Sequence, residues 1–196
     1  MVDNAALPGL KAGYRRLVVL RHAKSDWPEG VPDAKRPLAP RGRRDATAAG
    51  RWLRGHGCLP ERVYCSPALR TRQTWELAAE RLGDPSPSSS SRGYPMHAEY
   101  EPRLYHAEAE ALLEVVHEVG RKGAKVRTLL LVGHNPELQE LVLGLAGSGR
   151  GKLLETAKEK FPTAAIAVLD VKGDWRDLGW GTAKLRALAV PRGIRG

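Results

Sequence analysis

Short runs of apolar residues alternate along the chain with segments of helical periodicity. Residues 17–20 and 128–132 are continuous runs of apolar side chains, which is typical of strands buried on both faces. Apolar residues recur at spacings of three and four along residues 41–53, 68–82 and 112–119, which predicts three amphipathic helices. The alternation predicts βαβ units, and hence an α/β fold with three layers (α/β/α) around a mainly parallel sheet.

Turn and capping residues mark the elements that complete this fold. A weak strand is predicted at residues 98–100. Asn135-Pro136 marks a helix start, because Asn can cap a helix and Pro is tolerated in the first turn. Residues 165–171 form a further strand, Gly173-Asp174 a hairpin turn, and residues 175–180 the return strand. This hairpin would place an antiparallel strand at or near one edge of the sheet.

Composition divides the chain into one domain and two flanking segments. The predicted elements lie within residues 15–181, whereas residues 1–14 are expected to form a flexible arm and residues 182–196 a basic tail. Residues 84–96 are rich in Ser and Pro and are expected to form a mobile loop. Residues 23–40 contain several prolines, which exclude a regular helix, so this segment is a long loop of the kind that often carries function.

The charge balance points to a class of ligand. The 196 residues carry a net charge of +10, which favours an anionic partner: nucleic acid, an anionic membrane surface or a small phosphorylated ligand. The two cysteines, Cys58 and Cys65, have no metal-binding spacing and are expected to be inert core thiols in a reducing compartment. No apolar run is long enough to span a bilayer, so a cytoplasmic protein without membrane association is expected.

Basic side chains follow several of the predicted strands. Arg21 and His22 end the first apolar run, and His134 follows the run at residues 128–132. Arg70 lies in the first turn of a helix that begins directly after a short strand, and Arg72 points about 200° around that helix. Because ligands of open α/β sheets bind at the carboxyl ends of the strands, the two histidines and Arg70 are expected to meet there.

This set of side chains suits phosphoryl transfer. The reaction needs positioning of the phosphoryl group and dispersal of its negative charge, and fixed guanidinium groups provide both. A neutral imidazole can act as the nucleophile, and neighbouring cations disfavour its protonation. Since arginines and histidines supply the positive charge, no metal or other cofactor is expected.

Three motifs resemble those of the histidine phosphatase superfamily. Arg21-His22-Ala23 resembles the R-H-G/A signature of that family, and Ser66-Pro-Ala-Leu-Arg70 with Gln73-Thr74 resembles its second-arginine motif. Gly133-His134-Asn135 resembles its second-histidine motif. The resemblance implies a phosphoglycerate mutase-like fold that extends from residue 17 to about residue 180.

Residues 21–27 and 33–38, followed by Gly42, are similar to the small SixA-type phosphohistidine phosphatase branch. The resemblance implies that His22 becomes a transient phosphohistidine, and that Arg21, Arg70 and His134 bind the phosphoryl group. Arg36 is similar to a further phosphate-pocket arginine of this branch. The proton donor matches least well: Asp33 fits the motif best, and the alternatives are the acids Asp26, Glu108 and Glu110. Two further residues, Ser25 and His106, are candidates for substrate binding at the rim of the pocket.

The function expected from these features is a metal-independent phosphatase that acts through His22. Its substrate would be a protein phosphohistidine or a small phosphomonoester, and the protein is expected to be a monomer that binds no nucleic acid. Two alternatives stay open: a phosphoglycerate mutase-like phosphoryl transferase, and a basic nucleic-acid-binding module. The sparse aromatic residues argue against the second, because such modules usually interleave aromatic and basic side chains.

Overall fold

The computed structural model describes residues 7–83, 97–122, 125–149 and 152–194. Within these residues seven strands form a single sheet, with the order β3-β2-β4-β1-β6-β7-β5. The strands are β1 (Tyr14–Arg21), β2 (Arg62–Cys65), β3 (Glu99–Tyr100), β4 (Thr128–Gly133), β5 (Ala146–Gly149), β6 (Ile166–Lys172) and β7 (Ala183–Ala189). The helices are α1 (Pro40–Gly55), α2 (Leu69–Ala79), α3 (Ala109–Arg121), α4 (Glu137–Leu145) and α5 (Leu153–Glu159).

The sheet is mainly parallel. β1 and β2 both pair in parallel with β4, β3 pairs in parallel with β2, and β5 pairs in parallel with β7. β6 runs antiparallel to both of its neighbours, β1 and β7, and lies third from the β5 edge. This confirms the predicted α/β class, with a mainly parallel sheet and an antiparallel strand towards one edge.

Alternating strand residues feed two separate cores, because successive side chains of a strand point to opposite faces. Leu17 and Val19 of β1 pack in a cluster that includes residues of α3, α4 and α5. Val18 and Leu20 pack in a second cluster, which includes residues of α1 and α2. Helices therefore cover both faces, and this explains why the central strands are apolar without interruption. In the described part of the chain no helix is long and apolar enough to cross a membrane.

Helix α1 lies unusually close to the loop that follows β1. A Cβ atom on Gly42 would stand 2.0 Å from the carbonyl oxygen of Lys24, so a side chain at this position would force the helix away. The close approach is reinforced by a hydrogen bond from the Ala39 N–H to the same carbonyl, at 2.9 Å. The absence of a side chain at Gly42 thus helps to fix the loop that carries several of the predicted site residues.

The return strand was predicted in the wrong place. Residues 175–177 form a short 3-10 helix, whose turn is capped by the Asp174 side chain, and Trp175 is buried with its indole N–H donating to the Val126 carbonyl at 2.8 Å. The return strand that pairs with β6 is β7, which begins six residues after the end of this 3-10 helix. Buried residues alternate with Lys184 and Arg186 in this strand, and Arg186 pairs with Asp170 at 2.7 Å, so its charges are compatible with a sheet.

The predicted basic tail at residues 182–196 is therefore wrong for β7 and for the segment that follows it. The buried carboxylate of Asp45 on α1 accepts hydrogen bonds from the Arg192 guanidinium at 2.8 Å and from the Gly193 N–H at 3.0 Å. In the predicted arm, the Pro8 carbonyl accepts a hydrogen bond from Arg16. The first six residues of that arm and the predicted mobile loop at residues 84–96 lie outside the described residues.

Two local predictions near α4 also need correction. Asn135 does not cap the helix: its side chain donates to Gln139 and to the Phe161 carbonyl, and no side-chain cap is present at the start of α4. The segment after α4 begins with β5, although the glycines at residues 147–151 are typical of a turn. The strand is possible there because Gly147 has no side chain. A Cβ atom at this position would stand 1.7 Å from the carbonyl oxygen of Gly181.

Candidate active site

The carboxyl ends of β1 and β4 bring the two predicted histidines together. The register pairs Arg21 with Gly133, and the His22 N–H extends the ladder by donating to the Gly133 carbonyl at 2.9 Å. His134 follows Gly133 directly, so one strand register positions both imidazoles. Their ring centroids lie 5.1 Å apart, and both side chains are buried.

His22 is held as a neutral imidazole with one defined tautomer. Its Nδ1 lies 2.8 Å from the Ala23 carbonyl oxygen, which can only accept, so the proton of the neutral ring is on Nδ1 and the lone pair is on Nε2. Burial lowers the pKa of His22 to about 4, and the charges of Arg70, Arg21 and Arg36 lower it in the same direction, against the Ala23 hydrogen bond.

His134 is fixed from the opposite side of the pocket. Its Nε2 lies 2.8 Å from the hydroxyl of Ser66, the residue that follows β2. Burial is the main cause that lowers the pKa of His134 to about 2, and the proximity of His22 and Arg70 adds to it. Its Nδ1 is buried and has no hydrogen-bond partner among the described residues.

Three guanidinium groups surround the histidines. Arg70 in the first turn of α2 is buried, whereas Arg72 is exposed and lies over the Tyr100 ring, 5.2 Å from its centroid. Arg36 is also buried: its Nε donates to the Asp26 carbonyl, and one terminal nitrogen donates to the Ser25 hydroxyl at 2.9 Å. The structure thus places Arg70 at the site rather than Arg72, and gives Ser25 a contact with Arg36.

Arg21 approaches the site from the end of β1. Its guanidinium donates to the Phe161 carbonyl at 2.8 Å, while its Nε is buried without a hydrogen-bond partner in the described part of the chain. Burial lowers the pKa of Arg21. The Phe161 carbonyl also accepts a hydrogen bond from the Asn135 side chain at 3.1 Å. It therefore connects Arg21 at the end of β1 to Asn135, which lies just after β4.

The Asp33 carboxylate forms ion pairs with Arg36 and Arg70. Its carboxylate accepts a hydrogen bond from Arg36 at 2.8 Å and another from Arg70 at 2.9 Å, and the Tyr105 hydroxyl donates to it at 2.8 Å. Although burial acts to raise the pKa of Asp33, the hydrogen bonds from Tyr105, Arg70 and Arg36 together lower it well below its usual range. Asp33 is therefore an ionised acceptor while it pairs with these arginines, and its role as proton donor stays a prediction.

The other acids considered as donors are exposed. The carboxylate of Asp26 accepts from the neighbouring Trp27 N–H at 2.9 Å. Glu108 and Glu110 lie at the start of α3. Within the described residues, none of these three carboxylates forms a hydrogen bond with the site histidines or arginines. The geometry therefore does not select any of them as the donor.

Residues 105 and 106 form a rim beside His134 and Arg70. The ring centroid of Tyr105 lies 5.3 Å from that of His134, and the ring of His106 stacks on His134 with the centroids 6.3 Å apart. His106 is exposed and has a φ of +63°, a backbone conformation that non-glycine residues seldom adopt. The predicted rim position of His106 agrees with this placement.

Several supporting residues were not identified from the sequence. The Thr74 hydroxyl accepts from the buried Ala23 N–H at 3.0 Å, and the Gln73 side chain accepts from the Leu38 N–H at 2.8 Å. Both residues belong to the motif quoted for Arg70, so their spacing was visible, but what they hold in place was not. For Tyr105, the one feature of the sequence that indicated a place at the site was its position next to His106.

The described residues contain no group of three or more His, Cys, Asp or Glu side chains placed to hold a metal ion. The two cysteines are buried and unpaired, and burial raises the pKa of Cys58 to about 11 and that of Cys65 to about 12. The prediction that both are core thiols is therefore confirmed.

Comparison with known proteins agrees with this geometry. Residues 17–91 match the family model of the histidine phosphatase superfamily (branch 1). An uncharacterised protein of Mycobacterium tuberculosis is 43% identical over 175 residues, which cover 88% of this chain and all of the relative.

Two solved structures provisionally named phosphohistidine phosphatase SixA are also similar. The one from Nakamurella multipartitia is 34% identical, with a TM-score of 0.73 over 92% of this chain and 98% of that one. The one from Agrobacterium tumefaciens is 28% identical, with a TM-score of 0.64 over 80% of this chain and 91% of that one. The chain therefore belongs to the histidine phosphatase superfamily and is of the SixA type.

Proposed function

We propose that this protein is a phosphatase that acts through a phosphohistidine intermediate on His22. The observation that carries the proposal is the state of that ring: a buried neutral imidazole whose Nδ1–H is held by Ala23 and whose Nε2 lone pair is free. Membership of a superfamily of phosphatases and mutases supports the general activity.

In the first step, Nε2 of His22 attacks phosphorus, and the bond from phosphorus to the leaving group breaks with its electron pair on the leaving group. In the second step, the oxygen of a water molecule attacks the phosphohistidine, the N–P bond breaks, and the water proton passes to the medium. The guanidinium groups of Arg21, Arg36 and Arg70 would disperse the charge on the phosphoryl oxygens, and the imidazole of His134 lies 5.1 Å from that of His22.

The ionised state of Asp33 bears on the substrate class. While its carboxylate pairs with Arg36 and Arg70, Asp33 has no proton to give, which supports a leaving group that departs without one. The imidazole of a protein phosphohistidine, protonated on its second ring nitrogen, leaves as a neutral group and meets this condition. We therefore favour a protein phosphohistidine over an alkyl phosphomonoester, and propose a metal-independent reaction in the cytoplasm by a monomer.

A hydrolysis assay with a His22→Ala variant tests the proposal. The substrates are p-nitrophenyl phosphate and a phosphohistidine peptide, each with and without a metal chelator, and the matched control is His97→Ala, which removes an exposed imidazole. His22→Ala should lower turnover by about 10³-fold or more. The wild type should form an acid-labile phosphoenzyme, and the chelator should have no effect.

Three results would overturn parts of the proposal. Wild-type turnover in His22→Ala would exclude His22 as the nucleophile, and loss of turnover with the chelator would exclude a metal-independent reaction. Release of p-nitrophenol without an equal amount of inorganic phosphate would show transfer to another acceptor, as in a mutase.

A further inference from the structure

A second basic feature lies beside α1, and none of the candidate site residues lines it. It is a cleft of about 280 Å³ between α1, α2 and the C-terminal segment, which we call the arginine cleft. Its lining includes Arg43, Arg44, Thr47 and Arg51 of α1, Leu77 of α2 and Ile194.

The three arginines of the cleft have no counterion in the part of the chain that the structure describes. Within the described residues, neither Arg43, Arg44 nor Arg51 pairs with a carboxylate, although Arg41 on the same helix pairs with Asp45. The Nε of Arg44 is buried and has no hydrogen-bond partner in that part of the chain. Three like charges in one concave surface focus their field on it, so the cleft attracts negatively charged groups.

The cleft also has an apolar component, which distinguishes it from a simple anion site. Ile194 is 89% exposed although it lies beside Leu77, which packs against a small buried cluster. Arginine side chains add apolar stems to such a surface. A ligand that matches both components carries carboxylates together with at least one apolar side chain, as an acidic polypeptide segment does.

The position of the cleft relates it to the proposed active site. Helix α1 begins at Pro40, four residues after Arg36. The helical rise places Arg43 about 5 Å and Arg51 about 16 Å along the axis from Pro40, and Arg43, Thr47 and Arg51 share one face because they are four residues apart. The cleft therefore extends along α1 from the end of the helix that is closest to the phosphoryl-binding arginines.

We propose that the arginine cleft docks an acidic segment of the protein that carries the phosphoryl group. This inference rests on the proposed function, since it supplies the partner whose phosphohistidine reaches His22. The contact would be a rim interaction, which affects association and its salt dependence more than the chemical step.

Two synthetic peptides test the docking. Each carries one phosphohistidine and one leucine, and the flanking residues are glutamate in one peptide and glutamine in the other. The wild type should hydrolyse the acidic peptide with a kcat/KM about two- to thirtyfold higher, as expected for two exposed charge pairs. The double substitution Arg43→Gln with Arg51→Gln should abolish this preference, and added salt should do the same in the wild type.

The matched control is Arg54→Gln with Arg81→Gln, which removes the same charge from two exposed arginines that do not line the cleft. Both double variants should hydrolyse p-nitrophenyl phosphate like the wild type, which shows that they fold. An equal loss of preference in both would mean that only net charge matters, and would overturn the docking site.

Failure of this inference can be separated from failure of the proposed function. The affinity for a fluorescent, unphosphorylated acidic peptide is measured by anisotropy and does not depend on turnover. Binding that is weakened by the cleft substitutions supports docking even if no hydrolysis occurs, whereas unchanged binding overturns it. Tighter binding of a DNA or RNA oligonucleotide than of the acidic peptide, lost in the cleft variant, would overturn it in favour of a nucleic-acid partner.

Discussion

Replacing Asp33 by asparagine should strengthen the binding of phosphate-like anions. The Asp33 carboxylate pairs with Arg36 at 2.8 Å and with Arg70 at 2.9 Å, so an anion that uses these guanidinium groups must displace it. The Asp33 side chain is 45% exposed, and pairs of this exposure contribute about 0.2–1 kcal/mol each because solvent screens them. Two such pairs give about 0.4–2 kcal/mol, which is about two- to thirtyfold in the dissociation constant.

Isothermal titration with orthovanadate or inorganic phosphate measures this effect directly. The matched control is Glu29→Gln, which removes an exposed negative charge from the same loop. Asp33→Asn should bind more tightly than both the wild type and this control, and the difference should shrink as salt is added. Equal or weaker binding by Asp33→Asn would refute the view that Asp33 competes with the ligand.

A kinetic readout separates competition from proton donation by Asp33. If Asp33 donated a proton to the leaving group, Asp33→Asn would slow poor leaving groups more than good ones. The ionised state of Asp33 predicts no such difference, and a series of aryl phosphates with increasing leaving-group pKa measures it. A steeper dependence on leaving-group pKa in the variant would restore Asp33 as the donor.

Four further predictions concern pH and stability. Because the pKa of His22 is lowered to about 4, kcat/KM should stay level as pH falls through 6.5 and decrease only near pH 4; a decrease centred at 6.5 would contradict a buried neutral ring. The same lowered pKa means that the unfolded chain binds a proton first, so the free energy of unfolding, followed by urea titration, should fall between pH 6.5 and 4 by up to about 1.4 kcal/mol per pH unit; a flat profile would argue against it. Thr74→Val leaves the buried Ala23 N–H without its acceptor and should reduce the free energy of unfolding by about 1–3 kcal/mol, whereas Thr47→Val, whose hydroxyl bonds its own helix, should cost less. Asp45→Ala leaves the C-terminal segment without its buried anchor and should reduce the free energy of unfolding by about 1–3 kcal/mol and expose that segment to carboxypeptidase; resistance like that of the wild type would show that the anchor is unnecessary.

The sequence located the parts of the site that depend on strand ends. An apolar run that stops at Arg21 or before His134 identifies a strand end, and parallel pairing brings such ends together. The ionisation of Asp33 could not be read in this way, because it depends on Arg70 and Tyr105, which are 37 and 72 residues away in the chain. A motif identifies Asp33 as a candidate site residue. The protonation state of its carboxylate, however, depends on hydrogen-bond partners that the fold brings to it.

The strand β7 was missed for a related reason. Its charged residues, Lys184 and Arg186, have the composition of a solvated tail, and the alternation with buried Leu185 and Ala187 was the signal that opposed this reading. The partner that makes Arg186 acceptable is Asp170 of β6, whose carboxylate also accepts hydrogen bonds from Arg16. Charge composition alone was therefore a poor guide wherever a buried counterion was present.

The pairing of β1 with β4 has a consequence for how activity appears during folding. His22 and His134 are 112 residues apart in the chain, and they meet only when Arg21 is in register with Gly133. A slip of one residue would turn the strand's alternating side chains to the opposite faces. Contacts of such long sequence separation form slowly, because chain closure must precede the contacts that stabilise it. Helical circular dichroism should consequently recover before vanadate binding in a refolding experiment, so that the site itself reports the arrival of the native topology.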